Sequence, residues 1–297
     1  MTPKGALTVL HSFSSKYGAE LPQSIARDGK GNLYGATPYI RGDVDISGTI
    51  FKLTPEENGK YNFGTLWTDS AIGPLSVAVD SNKNLYGIIE QYTGIVSGSC
   101  GSCLFQIRAG VWADLWDFDY VNYNPQGTLV IDKSGDVFGT IGGDGGSSSW
   151  GYVYEWSPVS GYSVLHTFNG TDGSYPNGLV LDGAGNLYGT TNLGGANSVG
   201  TAFKITTTGA FSTLYNFCSL ANCADGYEPY GTIAVDSSGD LYGSTFESPR
   251  IYKISPNGSE SVIYSGPTSV RQLVVVDKFG DLFGIDSLGV YELVPSN

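Results

Sequence analysis

Chemistry in a protein chain falls to its imidazoles, thiols, carboxylates and cationic side chains. Here the imidazoles are nearly absent: the only histidines are His11 and His166. They stand in matching segments, Leu10-His11-Ser12-Phe13 and Leu165-His166-Thr167-Phe168, at a position that holds Trp67, Trp116, Tyr215 and Tyr264 elsewhere. A position that accepts Trp, Tyr or His is a packing position. A Ser-His-Asp triad or a His-rich metal site therefore lacks its central residue. No P-loop, G-x-S-x-G elbow or dinucleotide fingerprint occurs.

The charged side chains are more informative where they break a pattern. Arg271 stands where equivalent positions carry Pro22, Pro74, Gln126, Pro176 and Tyr230, and Asp286 where they carry Thr37, Ile89, Ile141, Thr191 and Thr245. One reading is a structural salt bridge. The other is a charged pair that grips a ligand, with Glu90 and Glu247 adding carboxylates. Paired carboxylates can serve as acid and base in glycoside cleavage, or as calcium ligands. No motif indicates calcium, so no cofactor is expected and calcium stays the open alternative. Aromatics are plentiful between the apolar runs: Tyr39, Tyr92, Tyr120, Tyr123, Trp150, Tyr175, Tyr227 and Tyr230. Flanked by Asn, Asp and Gly, such rings either stack on sugar faces or pack their own loops.

Four cysteines form two close pairs, Cys100 with Cys103 and Cys218 with Cys223. Local pairs fit short-loop disulfides in an oxidising compartment. The first pair is a CxxC in a Gly/Ser loop, without the helix or βαβ context of a redox motif. Asn169-Gly170-Thr171 and Asn257-Gly258-Ser259 read either as glycosylation sequons or as N-G turns.

All these residues hang on a repeat. The phrase Asp28-GKGNLYG recurs as Asp80-SNKNLYG, Asp132-KSGDVFG, Asp182-GAGNLYG, Asp236-SSGDLYG and Asp277-KFGDLFG. Its closing glycines, at 35, 87, 139, 189, 243 and 284, are spaced 52, 52, 50, 54 and 41 residues apart. That is the size of a four-stranded propeller blade. A first apolar strand leads to the Asp, whose carboxylate caps a hairpin turn. A second strand ends in the Gly. A third reads as Ile50-Phe51-Lys52-Leu53, and a fourth ends in a Leu–aromatic pair such as Leu66-Trp67. Only five fourth strands follow a third strand, and the sixth is found at the other end of the chain, where Leu7–Phe13 matches Tyr162–Phe168.

The expected fold is thus an all-β, six-bladed β-propeller of four-stranded blades, the last closed by the N-terminal strand. It forms a single domain over 1–297, with blades at about 21–69, 73–119, 124–169, 175–218, 228–266, and 269–295 plus 5–13. In this topology the repeated Asp turns lie on one face. The loops between second and third strands, and the connections between blades, lie on the other, where Arg271, Asp286, Glu247, Glu90, Tyr92 and Trp150 form the candidate binding site. The short loops after Gly243 and Gly284 make that rim low on one side.

Units reading G-L-x-x-D-x-x-G-N-L-Y-G-T-T, G-T-x-F-K-I and L-Y-x-F-C…C-x-D-G-x-x-P resemble the GloVer ("choice-of-anchor") tandem repeats of bacterial extracellular β-propeller proteins. Residues 178–229 match best, including Phe217-Cys218…Cys223-Ala224-Asp225-Gly226 and Pro229. The resemblance implies a secreted or surface-anchored propeller and no particular activity. Arg27, where other units are apolar, and the short fifth unit depart from the pattern.

Composition narrows the partners. The net charge of -13 repels phosphate backbones and anionic membranes, so nucleic acid is not an expected partner. No apolar run approaches the roughly 20 residues that span a bilayer. The opening MTPKGALTVLHSF lacks the apolar core of a signal peptide, so export would have removed the signal. The function expected is extracellular or cell-surface binding or scaffolding without catalysis, the partner being a glycan or a surface protein. The alternative is a secreted carbohydrate-active or lactone-cleaving enzyme with its site at the channel mouth.

Overall fold

The computed structural model describes residues 10–11, 24–37, 48–57, 60–69, 72–91, 102–118, 124–143, 149–247, 250–265, 270–276, 282–286 and 289–293. It is all-β, with antiparallel sheets formed by successive strands. The chain divides into two compact units, Met1–Val121 and Asn122–Asn297.

The first unit holds two four-stranded sheets. Sheet 1 is β1 (Ser24–Arg27), β2 (Leu33–Thr37), β3 (Gly48–Pro55) and β4 (Tyr61–Asp69). Sheet 2 is β5 (Ile72–Val79), β6 (Leu85–Gln91), β7 (Ser102–Arg108) and β8 (Val111–Asp117). The second unit holds sheet 3, from β9 (Asn124–Ile131), β10 (Val137–Gly142), β11 (Tyr152–Ser157) and β12 (Gly161–Thr167). Sheet 4 follows as β13 (Ser174–Leu181), β14 (Leu187–Leu193), β15 (Thr201–Ile205) and β16 (Phe211–Asn216). Sheet 5 is β17 (Tyr227–Val235), β18 (Leu241–Glu247), β19 (Arg250–Ile254) and β20 (Glu260–Ser265). Sheet 6 has three strands among the described residues, β21 (Val270–Val276), β22 (Leu282–Asp286) and β23 (Gly289–Leu293). Its expected fourth strand, residues 5–13, lies outside the described residues apart from Leu10 and His11, which are not in a strand.

Within each unit the first strand of a sheet lies against the first strand of the next: β1 against β5, and β9, β13, β17 and β21 in series. The apolar core runs between consecutive sheets. Ile50 and Phe105 share one cluster in the first unit, Leu187 and Val153 another in the second, and Tyr188 and Ile254 a third. Stacking of sheets face to face, each burying its neighbour, is the packing of a propeller.

The repeated Asp does what its position predicts. Asp182 Oδ1 accepts the backbone N–H of Ala184 at 2.9 Å and of Asn186 at 2.9 Å, and its Oδ2 accepts from the Asn186 amide at 2.8 Å. Asp28 repeats this with Lys30 and Asn32, and Asp236 with Ser238 and Asp240. Burial alone would push the Asp182 carboxyl up, but these hydrogen bonds together hold it below the usual carboxylate range. The two N-G sequences are Asx turns: Asn169 Oδ1 accepts from Thr171 N–H at 2.9 Å, and Asn257 Oδ1 from Ser259 N–H at 3.0 Å.

The glycine closing the repeated phrase has a steric cause. Gly35 pairs with Phe51, and Gly189 with Phe203. The aromatic ring lies flat over the glycine, so a Cβ there would stand 2.2 Å from the ring's Cζ in both cases. Gly87, Gly139 and Gly243 sit under Phe105, Tyr154 and Tyr252 in the same way. Gly189→Ala is expected to destabilise the fold by about 1–3 kcal/mol, as overpacking does. Urea denaturation checks it: an unchanged midpoint would show that the ring can move aside.

Candidate functional site

Backbone register decides which pattern-breaking residues share a place. In sheet 4 Pro176 faces Thr191, in sheet 5 Pro229 faces Thr245, and in sheet 6 Val270 faces Asp286. Arg271 is not the residue opposite Asp286. It is the extra residue at the register shift between Val270 and Gln272. Counting from the facing pair, Arg271 on β21 is therefore equivalent to Tyr230 on β17 and Asn177 on β13. Glu247 faces Tyr227, and Glu90 faces Gly73 and Ser102. Glu90 belongs to the first unit, and Glu247, Arg271 and Asp286 to the second. Tyr92 and Cys100 lie outside the described residues.

Trp150 is half-buried and serves the scaffold. Its ring packs against the core cluster containing Val153 and Phe168, and covers Gly170. Its carbonyl accepts the Tyr175 N–H at 3.0 Å. By contrast Tyr230 and Phe246 are 47% and 44% exposed, with ring centroids 5.7 Å apart and planes tilted by 54°. Sequence reasoning named Tyr230 among many aromatics and passed over Phe246.

Two connections between sheets are latched by an aspartate that the repeat analysis did not single out. His166 Nε2 donates to Asp172 Oδ2 at 3.0 Å, and Tyr215 Oη donates to Asp225 Oδ2 at 2.7 Å. Asp225 is fully buried and also accepts the Ser219 N–H at 2.8 Å and the Leu220 N–H at 3.2 Å. Burial first, then the bond to Asp225, pushes the Tyr215 phenol up. The available signal was Asp-Gly three residues before Pro, in Asp172-Gly173…Pro176 and Asp225-Gly226…Pro229. The residues just before these prolines, Tyr175 and Glu228, have φ of 55° and 54°. Their N–H groups bond the Trp150 and Val199 carbonyls, so the same strained turn recurs as a scaffold feature. The histidine thus holds a loop, and its ring stacks on Phe211 at 3.5 Å. Cys218 and Cys223 are disulfide-bonded across the second latched loop, and Cys103 is also in a disulfide. Among the described residues no three His, Cys, Asp or Glu side chains could together hold a metal ion, and no helix is long and apolar enough to cross a membrane.

Residues 143–291, half of the chain, match the model of the Gloeobacter/Verrucomicrobia repeat. The chain belongs to this repeat family. No curated protein sequence matches it. Among solved structures, an inactivated virginiamycin B lyase from Staphylococcus aureus with quinupristin is similar at TM-score 0.63 and 14% identity, over 95% of this chain and 83% of that one. A gluconolactonase from Xanthomonas campestris is similar at TM-score 0.56 and 14% identity, over 94% and 87%. A chain of a nidogen/laminin complex is similar at TM-score 0.56 and 17% identity, over 84% and 87%. At such identities the likeness is one of fold, which is propeller-like.

Within this Gloeobacter/Verrucomicrobia repeat protein, one residue of the fifth unit departs from its equivalents. Near the start of the fourth strands stand Phe63, Trp112, Tyr162 and Phe211, facing Leu53, Ile107, Trp156 and Ile205. Each ring stacks on the third-strand aromatic of its own sheet, as Trp112 does on Phe105 at 4.1 Å. In sheet 5 the residue facing Ile254 is Glu260. One of its carboxyl oxygens is buried without a hydrogen-bond partner. Burial, and then the nearby Asp225 carboxylate, pushes its pKa from 4.5 up to about 7. A carboxyl raised in the folded state binds its proton more tightly there than when unfolded. Its contribution to stability is complete below about 4.5 and is lost as pH rises through about 7. The melting temperature is expected to fall between pH 5 and pH 8 and to fall less in Glu260→Gln. Parallel slopes for the two proteins would show that other groups set the dependence.

Proposed function

We propose that this repeat protein is an extracellular or cell-surface binding and scaffolding propeller, not a catalyst, whose partner is a surface glycan or protein. The observation that carries this reading is how the described reactive groups are used. Asp28, Asp132, Asp182 and Asp236 cap turns, Asp172 and Asp225 latch loops, and His166 is held between Asp172 and Phe211, while Tyr230 and Phe246, like Trp116 and Tyr264, are left partly facing water. The disulfide and the repeat family support an extracellular setting.

The full architecture we propose has six blades, with residues 5–13 as the outer strand of the last. Two things support it: the match of Leu7–Phe13 to Tyr162–Phe168, and a ladder of stacked rings. Trp67 stacks on Trp112 at 4.8 Å and His166 on Phe211 at 3.5 Å, each joining the fourth strand of one sheet to that of the next. His11 stacks on Phe63 at 4.0 Å, taking the part of a fourth-strand residue preceding sheet 1. Deleting residues 1–14 is expected to leave an open strand edge and promote aggregation. A truncated protein that stays monomeric with an unchanged melting temperature would refute the closure.

The rival is an enzyme using Asp286 and Glu247, a reading favoured by the lactonase and lyase among the similar folds. A screen of lactones and polysaccharides for turnover, run beside glycan-array and surface-protein binding, separates the two. Retention of a ligand without turnover is the expected result. Turnover that disappears in Asp286→Asn or Glu247→Gln would overturn the binding reading.

A further inference from the structure

We infer that Tyr230 and Phe246 form a stacking subsite for an uncharged sugar ring, an inference that rests on the binding reading above. The repeat supplies its own control. At the equivalent positions of sheet 4 stand Asn177 and Asn192. The Asn177 amide donates to Asn192 and, at 3.0 Å, to the Pro229 carbonyl of the neighbouring strand, while its oxygen accepts from Thr190 Oγ1 at 2.6 Å. Two asparagines therefore satisfy the scaffold at this position. Sheet 5 instead carries two rings with nearly half their surface in water. Its strands are joined there by backbone register, with Pro229 facing Thr245 and Tyr230 facing Ser244. Each of the two residues is more than half covered, yet the rings stand in contact, tilted by 54°, and together keep an apolar surface in water. Adjacent exposed apolar surface that folding does not require marks a contact surface.

The surroundings select the ligand class. On three neighbouring first strands, Asn177, Tyr230 and Arg271 each directly follow the residue that faces Thr191, Thr245 or Asp286, so polar residues stand at the matching places in sequence on the strands either side of the aromatic pair. Glu228 and Glu247 flank the rings in sequence, and Asp286 faces Val270 beside Arg271. Stacked C–H faces with polar groups around the rim are what a pyranose ring needs. The net charge of -13 disfavours carboxylated or sulfated sugars.

The test is calorimetric titration of the full chain with neutral gluco-, manno- and galacto-configured hexasaccharides, and with a hexauronate. At least one neutral hexasaccharide is expected to bind, and Tyr230→Ala or Phe246→Ala to weaken it at least tenfold. The double variant Tyr230→Asn with Phe246→Asn installs the pair that sheet 4 already carries. It is expected to keep the wild-type melting temperature and lose binding. Three results would overturn the inference: no neutral hexasaccharide binds, the hexauronate binds more tightly, or the double variant binds as wild type does. In the last case a binding protein remains and only the site is wrong, whereas turnover of any sugar, in wild type or variant, would instead remove the binding reading.

Discussion

Every described four-stranded sheet depends on one contact, an aromatic ring of the third strand lying flat on the glycine of the second. The glycine leaves no Cβ between ring and backbone, and Phe51, Phe105, Tyr154, Phe203 and Tyr252 fill the space so completely that all are buried. This fixes the register of the inner strand pair, because a slip by one residue would drive the ring into a side chain. In sheets 1 to 4 these rings then receive an aromatic near the start of the fourth strand, and in sheets 2 and 4 that aromatic in turn receives a ring from the preceding sheet. A local steric fit is thereby carried outward into a ladder that joins one sheet to the next.

Around this core the polar groups are mostly employed in holding turns. Asp28, Asp132, Asp182 and Asp236 each collect N–H groups two and four residues further along, which leaves their hairpins with few orphan donors. The connections between sheets use a longer-range version, in which a carboxylate reaches back to His166 or Tyr215 on the preceding strand. A disulfide adds to the latch only in the longer loop, between Cys218 and Cys223, where more chain must be ordered. His166, Asp172 and Asp225, which look chemically capable in isolation, are thus employed in holding loops.

A repeat protein makes departures readable, since every unit reports what the fold alone requires. Glu260 takes the place of an aromatic and leaves a carboxyl oxygen buried without a partner beside Asp225, at a cost that changes with pH. Tyr230 and Phe246 replace a hydrogen-bonded Asn pair with exposed rings. The first departure weakens the seam between sheets 4 and 5. The second lies at the end of the first two strands of sheet 5, and gives the molecule a surface its sister unit lacks.

The sequence by itself determined the all-β class, the turn chemistry and the pairing of Cys218 with Cys223. These depend on short spacings: an Asp and its hairpin, an apolar run, two thiols five residues apart. The family, too, was legible in motifs. What only the tertiary structure decided rests on contacts between residues far apart in the chain. Arg271 and Asp286 align by counting along the chain, yet a bulge on β21 puts Val270 opposite Asp286, since an inserted residue shifts register without leaving a mark in composition. Trp150 and Tyr230 look alike as loop-face aromatics. One covers Gly170 and the other is 47% exposed, a difference that their flanking residues do not encode. Asp225 and Glu260 lie 35 residues apart in sequence and meet only because sheets 4 and 5 stack, so their shared electrostatics belong to the fold.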